Sequence, residues 1–490
     1  MGAILVSIFA AVANPLLAAG ATVSGPIEGQ PTLALGNFDL TELGYVTEEF
    51  FMSGTATSYV GVNTPDDGAW TVKEDASAPF TTRLIVVRPK NAARFNGSVV
   101  VEWLNVTAGG DIAVDWKFAH RELMRDGFAY VGASVQKVGI DGGPISLPGA
   151  TALKKANPDR YGALSHPGDA FAYDIYSQAG KMVRSSARLL GPLKLRRVLA
   201  TGDSQSAAFL TTYVNAIDPL AVVYDGYLIH SRFGAAAPVE GRMGVRGTDS
   251  PVASRSPVRL RPNVRVPVLT LITETDLIGG GGAVTGFLGA RQPDNHHLRV
   301  WEIPGVAHGD IYAAAVGDVD SGLLPAEALA KSFAPVDTAL GGKMGAPMNA
   351  APQHHYVLEA AIYQLNRWVK DRREPPRAEP MATLPGEGPG ASQHLALDVH
   401  GNSLGGIRTP WMDVPTARLS GIGQTGEGLA FLFGTTEVFD STKLAKLYPG
   451  GRTEYLAQFR KALDKAVSAG FLLKADVPEI MDVATLRYPD

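Results

Sequence analysis

The chain has 490 residues, of which 45% are hydrophobic and 19% are charged, so it can bury a large core in two or three domains or in one domain with insertions. Its formal net charge is -4 at pH 7, which gives no basic surface for nucleic acid, and we expect no nucleic-acid partner. The absence of cysteine excludes disulfides and thiolate metal sites.

The first 21 residues predict an export signal. Residues 1–21 are apolar, short for a membrane span, and end in Ala19-Gly20-Ala21, a small-residue pattern typical of signal-peptide cleavage. The segment lacks a positively charged start, because the first basic residue is Lys73, so a buried N-terminal segment is the alternative. No later apolar run approaches the ~18 residues of a membrane helix. The sequence therefore predicts an exported protein, periplasmic or secreted, without stable membrane insertion.

Strand-like and helix-like segments alternate along most of the chain. Strands are predicted at residues 48–59, 80–88, 98–104, 128–135, 198–200, 222–228, 266–272 and 297–303. Helices are predicted at residues 115–125, 169–190, 207–214 and 356–370, with Asp169 as a cap, and a long surface loop at residues 139–168. This alternation is typical of an α/β fold with a mostly parallel central sheet and helices on both faces.

The same pattern divides the chain into three parts. After the signal segment, residues 22–376 predict the α/β core with insertions, of which residues 311–352 form a lid or another excursion. Residues 377–390 are rich in proline and glycine and predict a linker. Residues 391–490, with a strand-like stretch at 394–399 and a helix at 455–469, predict a C-terminal extension.

A serine lies at the centre of this organisation. The stretch Gly202-Asp203-Ser204-Gln205-Ser206 follows a short apolar strand and precedes a run of small and apolar residues. Strand, sharp turn and helix form the layout of a nucleophile elbow, which lifts a serine hydroxyl above the sheet edge. The stretch departs from Gly-x-Ser-x-Gly at Ser206, but serine is small enough for the close passage of strand and helix. An ordinary turn is the alternative interpretation of this motif taken alone.

A serine nucleophile needs a base that an acid orients, and both follow in the expected order. Asp276 comes four residues after one predicted strand, and His308 follows the next strand. Serine, acid and histidine in that order are typical of α/β hydrolases, and residues beyond the carboxyl ends of parallel strands meet at one edge. Glu274 is the alternative acid, and Asp276 and His308 could each be ordinary loop residues. The combination favours Ser204, Asp276 and His308 as the catalytic residues.

The oxyanion hole of such a site takes one backbone N–H from the residue after the nucleophile, which is Gln205. A second N–H comes from the loop after an earlier strand, where Asn105 and Val106 are the candidates.

Metal ligands and cofactors are not expected. His394, Asp398 and His400 share one strand face, and the pairs His296-His297 and His354-His355 are adjacent, but a metal site needs three or four converging ligands. A structural or solvated role is predicted for each of these groups, with no metal and no cofactor.

Several stretches resemble a large family of bacterial alpha/beta hydrolase domain-containing proteins. They are Glu49-Phe-Phe-Met-Ser-Gly-Thr-Ala56, Val101-Glu-Trp-Leu-Asn-Val106, His166-Pro-Gly-Asp-Ala170, Gly202-Asp-Ser-Gln-Ser206, Thr273-Glu-Thr-Asp276, Gly405-Gly-Ile-Arg-Thr-Pro-Trp-Met-Asp-Val-Pro-Thr416, Phe439-Asp-Ser-Thr-Lys-Leu444 and Leu447-Tyr-Pro449. The resemblance implies an α/β-hydrolase fold and serine esterase activity. It also implies that residues 377–490 belong with the hydrolase, and it gives no substrate, since most members have none assigned.

The sequence thus predicts a serine hydrolase that acts on a small-molecule carboxylic ester. Amide or lactone hydrolysis and acyl transfer use the same residues and stay open, as does a catalytically inactive hydrolase fold that serves as a binding protein. A metal-dependent hydrolase is a further alternative. The acyl-chain length and the alcohol of the substrate depend on the shape of the loops at 139–168, 242–263 and 311–352, which cannot be derived from the sequence. The oligomeric state also stays open.

Overall fold

The computed structural model describes residues 20–144, 149–241, 256–280, 284–339, 342–386 and 393–489. The predicted signal segment therefore lies almost wholly outside the described residues, as do residues 242–255 of one predicted loop. Within the described residues, nine strands form the central sheet: β1 Thr22–Ser24, β2 Tyr45–Asn63, β3 Thr71–Pro89, β4 Ser98–Trp103, β5 Ala129–Ala133, β6 Arg197–Asp203, β7 Gly226–His230, β8 Val268–Thr273 and β9 Leu298–Ile303.

The sheet begins antiparallel and becomes parallel. Its order is β1-β2-β3-β5-β4-β6-β7-β8-β9, with antiparallel pairing from β1 to β5 and parallel pairing from β5 to β9. The chain moves outward from β4 to β5 and then returns to place β6 on the other side of β4. Such a reversal opens a crevice at the carboxyl ends of the strands, where ligands bind in open α/β sheets.

Helices cover both faces of the sheet. The longer helices are α1 Val114–Arg125, α2 Ala172–Ser185, α3 Gln205–Thr212, α4 Gln353–Asp371, α5 Gly451–Ala469 and α6 Val477–Arg487. Side chains of α1 and α4 share one buried cluster with one set of strand residues, and side chains of α2 and α3 share a second cluster with the alternate set. β4 is buried along its whole length because both of its faces are covered.

Shorter elements complete the described chain. Short helices lie at Lys137–Asp141, Leu153–Ala156, Pro158–Tyr161, Ala187–Leu190, Asp218–Ala221, Glu274–Ile278, Ala326–Ser332, Pro410–Asp413 and Ser441–Leu447. Two-stranded hairpins pair Gly279–Gly280 with Val284–Thr285, Thr338–Ala339 with Gly342–Lys343, Thr383–Leu384 with His394–Leu395, and Ala417–Ser420 with Thr435–Val438.

Four predicted elements differ from the structure. The helix predicted at residues 169–190 is interrupted at Ser186, where α2 ends and the short helix Ala187–Leu190 follows. The strand predicted at residues 222–228 is β7, which starts at Gly226, because Val222 caps the short helix Asp218–Ala221 with a left-handed φ of 48°. The predicted surface loop at 139–168 holds short helices and a buried apolar cluster that includes Ile140 and Leu164. The strand predicted at 394–399 stops at Leu395. In the segment at 139–168 the apolar residues are too sparse to show a helical or strand periodicity, so its local structure could not be predicted from the sequence.

The C-terminal part packs on the α/β core. Tyr455, Phe459 and Ile480 from α5 and α6 belong to the same buried cluster as Trp301 of β9. The stretch that precedes it also lies against the sheet, since the Met381 N–H donates to the Glu302 carboxylate over 2.7 Å.

The insertion at 311–352 contributes to the same cluster. Its residues Tyr312, Val316, Leu329 and Phe333 are buried there, and its short helix Ala326–Ser332 contacts α6. In the part of the chain that the structure describes, no helix is long and apolar enough to cross a membrane.

Candidate active site

Ser204 occupies a strained turn at the carboxyl edge of the sheet. It lies directly between β6 and α3, with φ 57° and ψ −116°. Non-glycine residues rarely adopt a positive φ, and such strain concentrates at functional sites. The Ser204 N–H donates to the His230 carbonyl oxygen at the end of β7 over 3.0 Å, which fixes the turn against the neighbouring strand. Ser204 stays half-buried and thus accessible.

The turn requires small residues on either side of the serine. A Cβ atom added to Gly202 would lie 3.2 Å from the carbonyl carbon and oxygen of Ser206 and 3.3 Å from its Cβ. These distances are tighter than ordinary packing contacts, so strand and helix pass as closely as the motif predicts. Ser206 itself is fully buried, and its hydroxyl has no hydrogen-bond partner among the described residues.

His308 and Asp276 continue from Ser204 in one hydrogen-bonded line. The His308 Nε2 atom lies 2.8 Å from the Ser204 Oγ atom. The His308 Nδ1 atom lies 2.6 Å from Asp276 Oδ1 on the other side of the ring. Phe233 stacks on the imidazole, with 5.0 Å between ring centroids and 26° between planes. The structure therefore brings the three predicted residues together from three different strand ends.

Asp276 is held as a carboxylate. Its side chain is fully buried. Its Oδ2 atom accepts hydrogen bonds from the Thr273 N–H and from the Thr273 hydroxyl, both over 2.8 Å. Burial alone raises the pKa of Asp276, but the adjacent His308 and the Thr273 donors outweigh burial and hold that pKa below its ordinary value. The ionised carboxylate can therefore accept a hydrogen bond from the His308 Nδ1–H and fix the ring orientation.

Glu274, the alternative acid, does not contact His308. Its carboxylate accepts the N–H groups of Gly305 and Gly421 over 2.5 Å and 2.7 Å. Burial raises the pKa of Glu274, and these two hydrogen bonds offset part of that effect. Glu274 thus ties the loop that leads to His308 to the C-terminal part of the chain.

The predicted oxyanion donors are not equally available. The Asn105 N–H already donates to the Ile112 carbonyl oxygen over 3.0 Å, which contradicts its selection as a free donor. Among the hydrogen bonds of the described residues, none uses the N–H of Val106 or Gln205 as donor. The Asn105 side chain instead donates through Nδ2 to the Asp203 carbonyl oxygen over 3.1 Å and so joins the loop to the serine turn.

A polar network supports the residue after the serine. Gln205 donates through Nε2 to Gln136 Oε1 over 3.0 Å, and the same oxygen accepts the Trp103 indole N–H over 3.0 Å. Gln136 donates in turn to Asp169. The prediction that Asp169 caps its helix is wrong, because its carboxylate accepts the N–H of Lys137 across the loop, 2.7 Å away, in place of an N–H of its own helix.

Sequence reasoning missed three residues that support the histidine. Thr275 Oγ1 accepts the His308 N–H over 3.0 Å and donates to the Gly421 carbonyl oxygen. Thr275 could have been suspected from its place beside Asp276. Phe233 and Gly421 carry no local signal, because only the fold brings them to the histidine.

The histidines for which the sequence predicted a structural or solvated role differ in burial. His394 and His296 are exposed, whereas His354 and His355 are fully buried. Within the described ranges, no group of three or more histidine, aspartate or glutamate side chains is arranged to hold a metal ion.

The family of the protein is established by a match over nearly the whole chain. The sequence profile described as alpha/beta hydrolase domain matches residues 12–482, so the chain belongs to that family. This match and the sheet order confirm the predicted α/β-hydrolase fold. No curated protein matches the chain.

Solved structures with similar folds are distant. An esterase from Rhizomucor miehei is 11% identical, with a TM-score of 0.30, over 65% of this chain and 85% of its own. A putative dienelactone hydrolase from Klebsiella pneumoniae subsp. pneumoniae MGH 78578 is 13% identical, with a TM-score of 0.26, over 51% and 86%. An α/β serine hydrolase without a lid from Xanthomonas campestris is 12% identical, with a TM-score of 0.26, over 52% and 86%.

Proposed function

We propose that the protein is a serine hydrolase that cleaves carboxylic esters through an acyl-enzyme intermediate. The observation that carries this proposal is the line of hydrogen bonds from Ser204 Oγ through His308 to Asp276, 2.8 Å and 2.6 Å long. A serine alone is a weak nucleophile, and a base oriented by a buried carboxylate is what activates it.

In this proposal each group has a separate role. His308 Nε2 takes the proton of the Ser204 hydroxyl as the oxygen attacks the acyl carbon, and the imidazolium returns this proton to the leaving alcohol. Asp276 keeps Nδ1 protonated and stabilises the positive charge of the ring. Water then attacks the acyl-enzyme with His308 as base, which releases the acid and restores Ser204.

The negative oxygen of the tetrahedral intermediate needs donors that are otherwise free. The N–H groups of Gln205 and Val106 meet this condition, and Asn105 positions the loop that carries Val106. A donor of this kind contributes about 2.7–4 kcal/mol to transition-state stabilisation in serine hydrolases.

The test is fluorophosphonate labelling of the wild type beside Ser204→Ala, scored by intact mass, with a short-chain aryl ester assay on unlabelled portions of the same two preparations. We expect labelling and turnover in the wild type and neither in the variant. Turnover that survives in Ser204→Ala would refute the assignment. Absence of labelling in both proteins would favour an inactive hydrolase fold that binds its ligand. If the wild type is labelled, amide or lactone substrates offered to unlabelled wild type distinguish the remaining alternatives.

We also propose that residues 1–21 are a signal peptide and that the protein is exported. The support is the small-residue pattern that ends at Ala21, together with the start of β1 at Thr22 directly afterwards. The intact mass of protein recovered from the periplasm or medium of an expressing bacterium is expected to match a chain that begins at Thr22. Recovery of the uncleaved chain from the cytoplasm alone would contradict export.

A further inference from the structure

Four buried side chains that the mechanism above does not use form a continuous line below Ser204. His230 Nδ1 lies 2.8 Å from Asp115 Oδ1, and His230 Nε2 lies 2.9 Å from His354 Nε2. His354 Nδ1 lies 2.9 Å from Asp310 Oδ2. The side chains of all four residues are at most 2% exposed. We call Asp115, His230, His354 and Asp310 the buried chain.

The distances determine how many protons the buried chain holds. Each of its three links joins two atoms with lone pairs, so each link needs one proton to be a hydrogen bond. Three protons shared by two carboxylates and two imidazoles leave the four groups with a net charge of −1. With only two protons, one link would set two lone pairs against each other in a fully buried site. With four, two N–H or O–H groups would collide.

Two members of the buried chain, His230 and Asp310, reach the two halves of the proposed active site. The His230 carbonyl oxygen accepts the Ser204 N–H, so the first histidine holds the serine turn. Asp310 comes two residues after His308 and also accepts the Ala313 N–H over 3.0 Å. The buried chain therefore forms a second connection between the serine turn and the histidine loop, separate from the bond between Ser204 and His308.

Neighbouring side chains bury the two imidazole rings and orient the Asp115 carboxylate. The Phe118 ring lies 4.3 Å from the His354 ring centroid and 5.5 Å from that of His230. The Thr201 hydroxyl donates to Asp115 Oδ2 over 2.5 Å, which orients that carboxylate. In a low-dielectric site a satisfied network of this kind is rigid, whereas a broken one leaves costly unpaired groups.

The charged groups around the two rings are acidic. Asp203 of β6 places Oδ1 3.4 Å from His230 Nδ1, and Asp276 adds a more distant negative charge. Burial raises the pKa of Asp203, and the neighbouring carboxylates raise it further. The pKa of His230 is lowered below its ordinary value, first by burial and also by the neighbouring His354, while its bond to Asp115 and the charges of Asp115 and Asp276 act in the opposite direction. The carboxylates thus oppose loss of the shared proton, and the three link distances of 2.8–2.9 Å carry its assignment.

On the basis of the proposed hydrolase function, we propose that the buried chain consists of positioning residues. Asp115, His230, His354 and Asp310 hold one shared proton between the two rings and fix the serine turn relative to the histidine loop. They contact no reacting atom and act through Ser204 and His308.

Three variants test the proposal. His354→Leu removes both links of that ring, whereas His354→Gln keeps a polar group that can pair with His230. His355→Gln is the matched control, because His355 is the next residue of α4 and equally buried, but it stacks on Tyr312, 4.0 Å away, outside the buried chain.

We expect His354→Leu to lower both kcat for the aryl ester and the rate of fluorophosphonate labelling by about tenfold or more. KM should change less than about twofold, since misplaced catalytic groups slow the chemical step more than they weaken substrate binding. His354→Gln should recover a large part of both rates, and His355→Gln should leave both near those of the wild type. A folded His354→Leu protein with wild-type rates would overturn the proposal. An equal loss in His355→Gln would do so as well, because it would assign the effect to general packing of α4.

A measurement on the uninhibited protein separates this proposal from the proposed function. In protein labelled with nitrogen-15 at histidine, the shared proton should give a strongly downfield imidazole N–H signal that disappears in Asp310→Asn or His354→Gln and persists in His308→Gln, which removes the N–H that His308 shares with Asp276. This measurement also applies if His354→Leu does not fold. A signal in a protein that neither turns over esters nor labels would refute the hydrolase function alone. Absence of the signal from the folded wild type would refute the buried chain.

Discussion

The carboxylates of Asp276 and Glu274 lie two residues apart on one short helix, and each binds different partners. Asp276 contacts the imidazole of His308, whereas Glu274 binds two backbone N–H groups. A carboxylate that orients a base affects the chemical step, and a carboxylate that fills backbone donors affects the fold. The pair therefore offers matched variants at the same site.

We predict that Asp276→Asn lowers kcat for an aryl ester by about 10⁴-fold, because an amide at this place favours the wrong tautomer of His308. Glu274→Gln should instead lower the free energy of unfolding by about 1–3 kcal/mol, since its amide group leaves a backbone N–H unpaired. Ester kinetics and urea unfolding on both variants measure these effects. The reverse result, with kcat lost mainly in Glu274→Gln, would make Glu274 the acid.

The pH dependence of stability should separate the same two carboxylates. The pKa of Asp276 is lowered in the folded protein, so its contribution to stability is present above the ordinary aspartate pKa of about 3.9 and is lost as pH falls through the lower folded value. The pKa of Glu274 is raised, so its contribution is present at low pH and is lost as pH rises through the folded value.

We therefore predict opposite slopes in urea unfolding between about pH 3 and 7. The difference in unfolding free energy between the wild type and Asp276→Asn should shrink as pH falls. The difference between the wild type and Glu274→Gln should grow. Parallel slopes for the two variants would show that the environments of these carboxylates are not those described.

At the scale of elements, the passage of β6 into α3 explains why Ser206 is tolerated where the motif has glycine. The Cβ atom of Ser206 fits because the facing residue is Gly202, which has no Cβ atom. A Cβ atom added to Gly202 would lie only 3.3 Å from that of Ser206. The hydroxyl is the less favourable part, because it is buried without a hydrogen-bond partner among the described residues. Ser206 thus satisfies the turn sterically and leaves a polar group unpaired.

We predict that Ser206→Ala keeps wild-type ester turnover and raises the free energy of unfolding by up to about 1 kcal/mol, because it removes an unpaired buried hydroxyl. Gly202→Val is the contrasting variant and should lose both labelling and turnover, since its side chain meets the backbone of α3. Urea unfolding and the aryl ester assay measure both. A large loss of turnover in Ser206→Ala would assign its hydroxyl a function that the structure does not show.

At the scale of the whole molecule, the C-terminal part supports the loops of the site. The Gly309 N–H donates to the Leu432 carbonyl oxygen over 2.8 Å, and Gly421 accepts from Thr275 and donates to Glu274. The loops that carry Asp276 and His308 are therefore fixed partly by residues more than a hundred positions away. This arrangement makes the C-terminal part integral to the site geometry.

We predict that Gly421→Ala lowers ester turnover by at least about tenfold, because misplacement of catalytic groups slows the chemical step. The added Cβ atom would meet the Val306 carbonyl oxygen at 2.3 Å and the Glu274 Cβ at 2.6 Å, neither of which can move freely. Gly423→Ala is the control, because nothing lies within 4 Å of its added Cβ and only its φ of 88° strains the backbone. Equal turnover in the two variants, both folded by circular dichroism, would refute this role of the C-terminal part.

The sequence by itself determined the elements whose patterns are local. Apolar runs bounded by glycine and proline predicted most strands of the sheet, helical spacing predicted α1 and α4, and the stretch around Ser204 predicted a strained turn. Chain order and the strand ends also predicted that Asp276 and His308 approach the serine. Each of these inferences depends on residues within a few positions of one another or on a general rule of parallel sheets.

Only the tertiary structure decided the choices between close alternatives. Asp276, the favoured acid, and Glu274, the alternative, lie in one short stretch, and Asn105 and Val106 are adjacent, so the partner of each group depends on contacts from distant segments. The same reason hid the packed turns at 139–168 and the line from Asp115 to Asp310, whose members come from four separate parts of the chain. Side-chain hydrogen bonds in a buried site are set by three-dimensional proximity, which local sequence patterns do not contain.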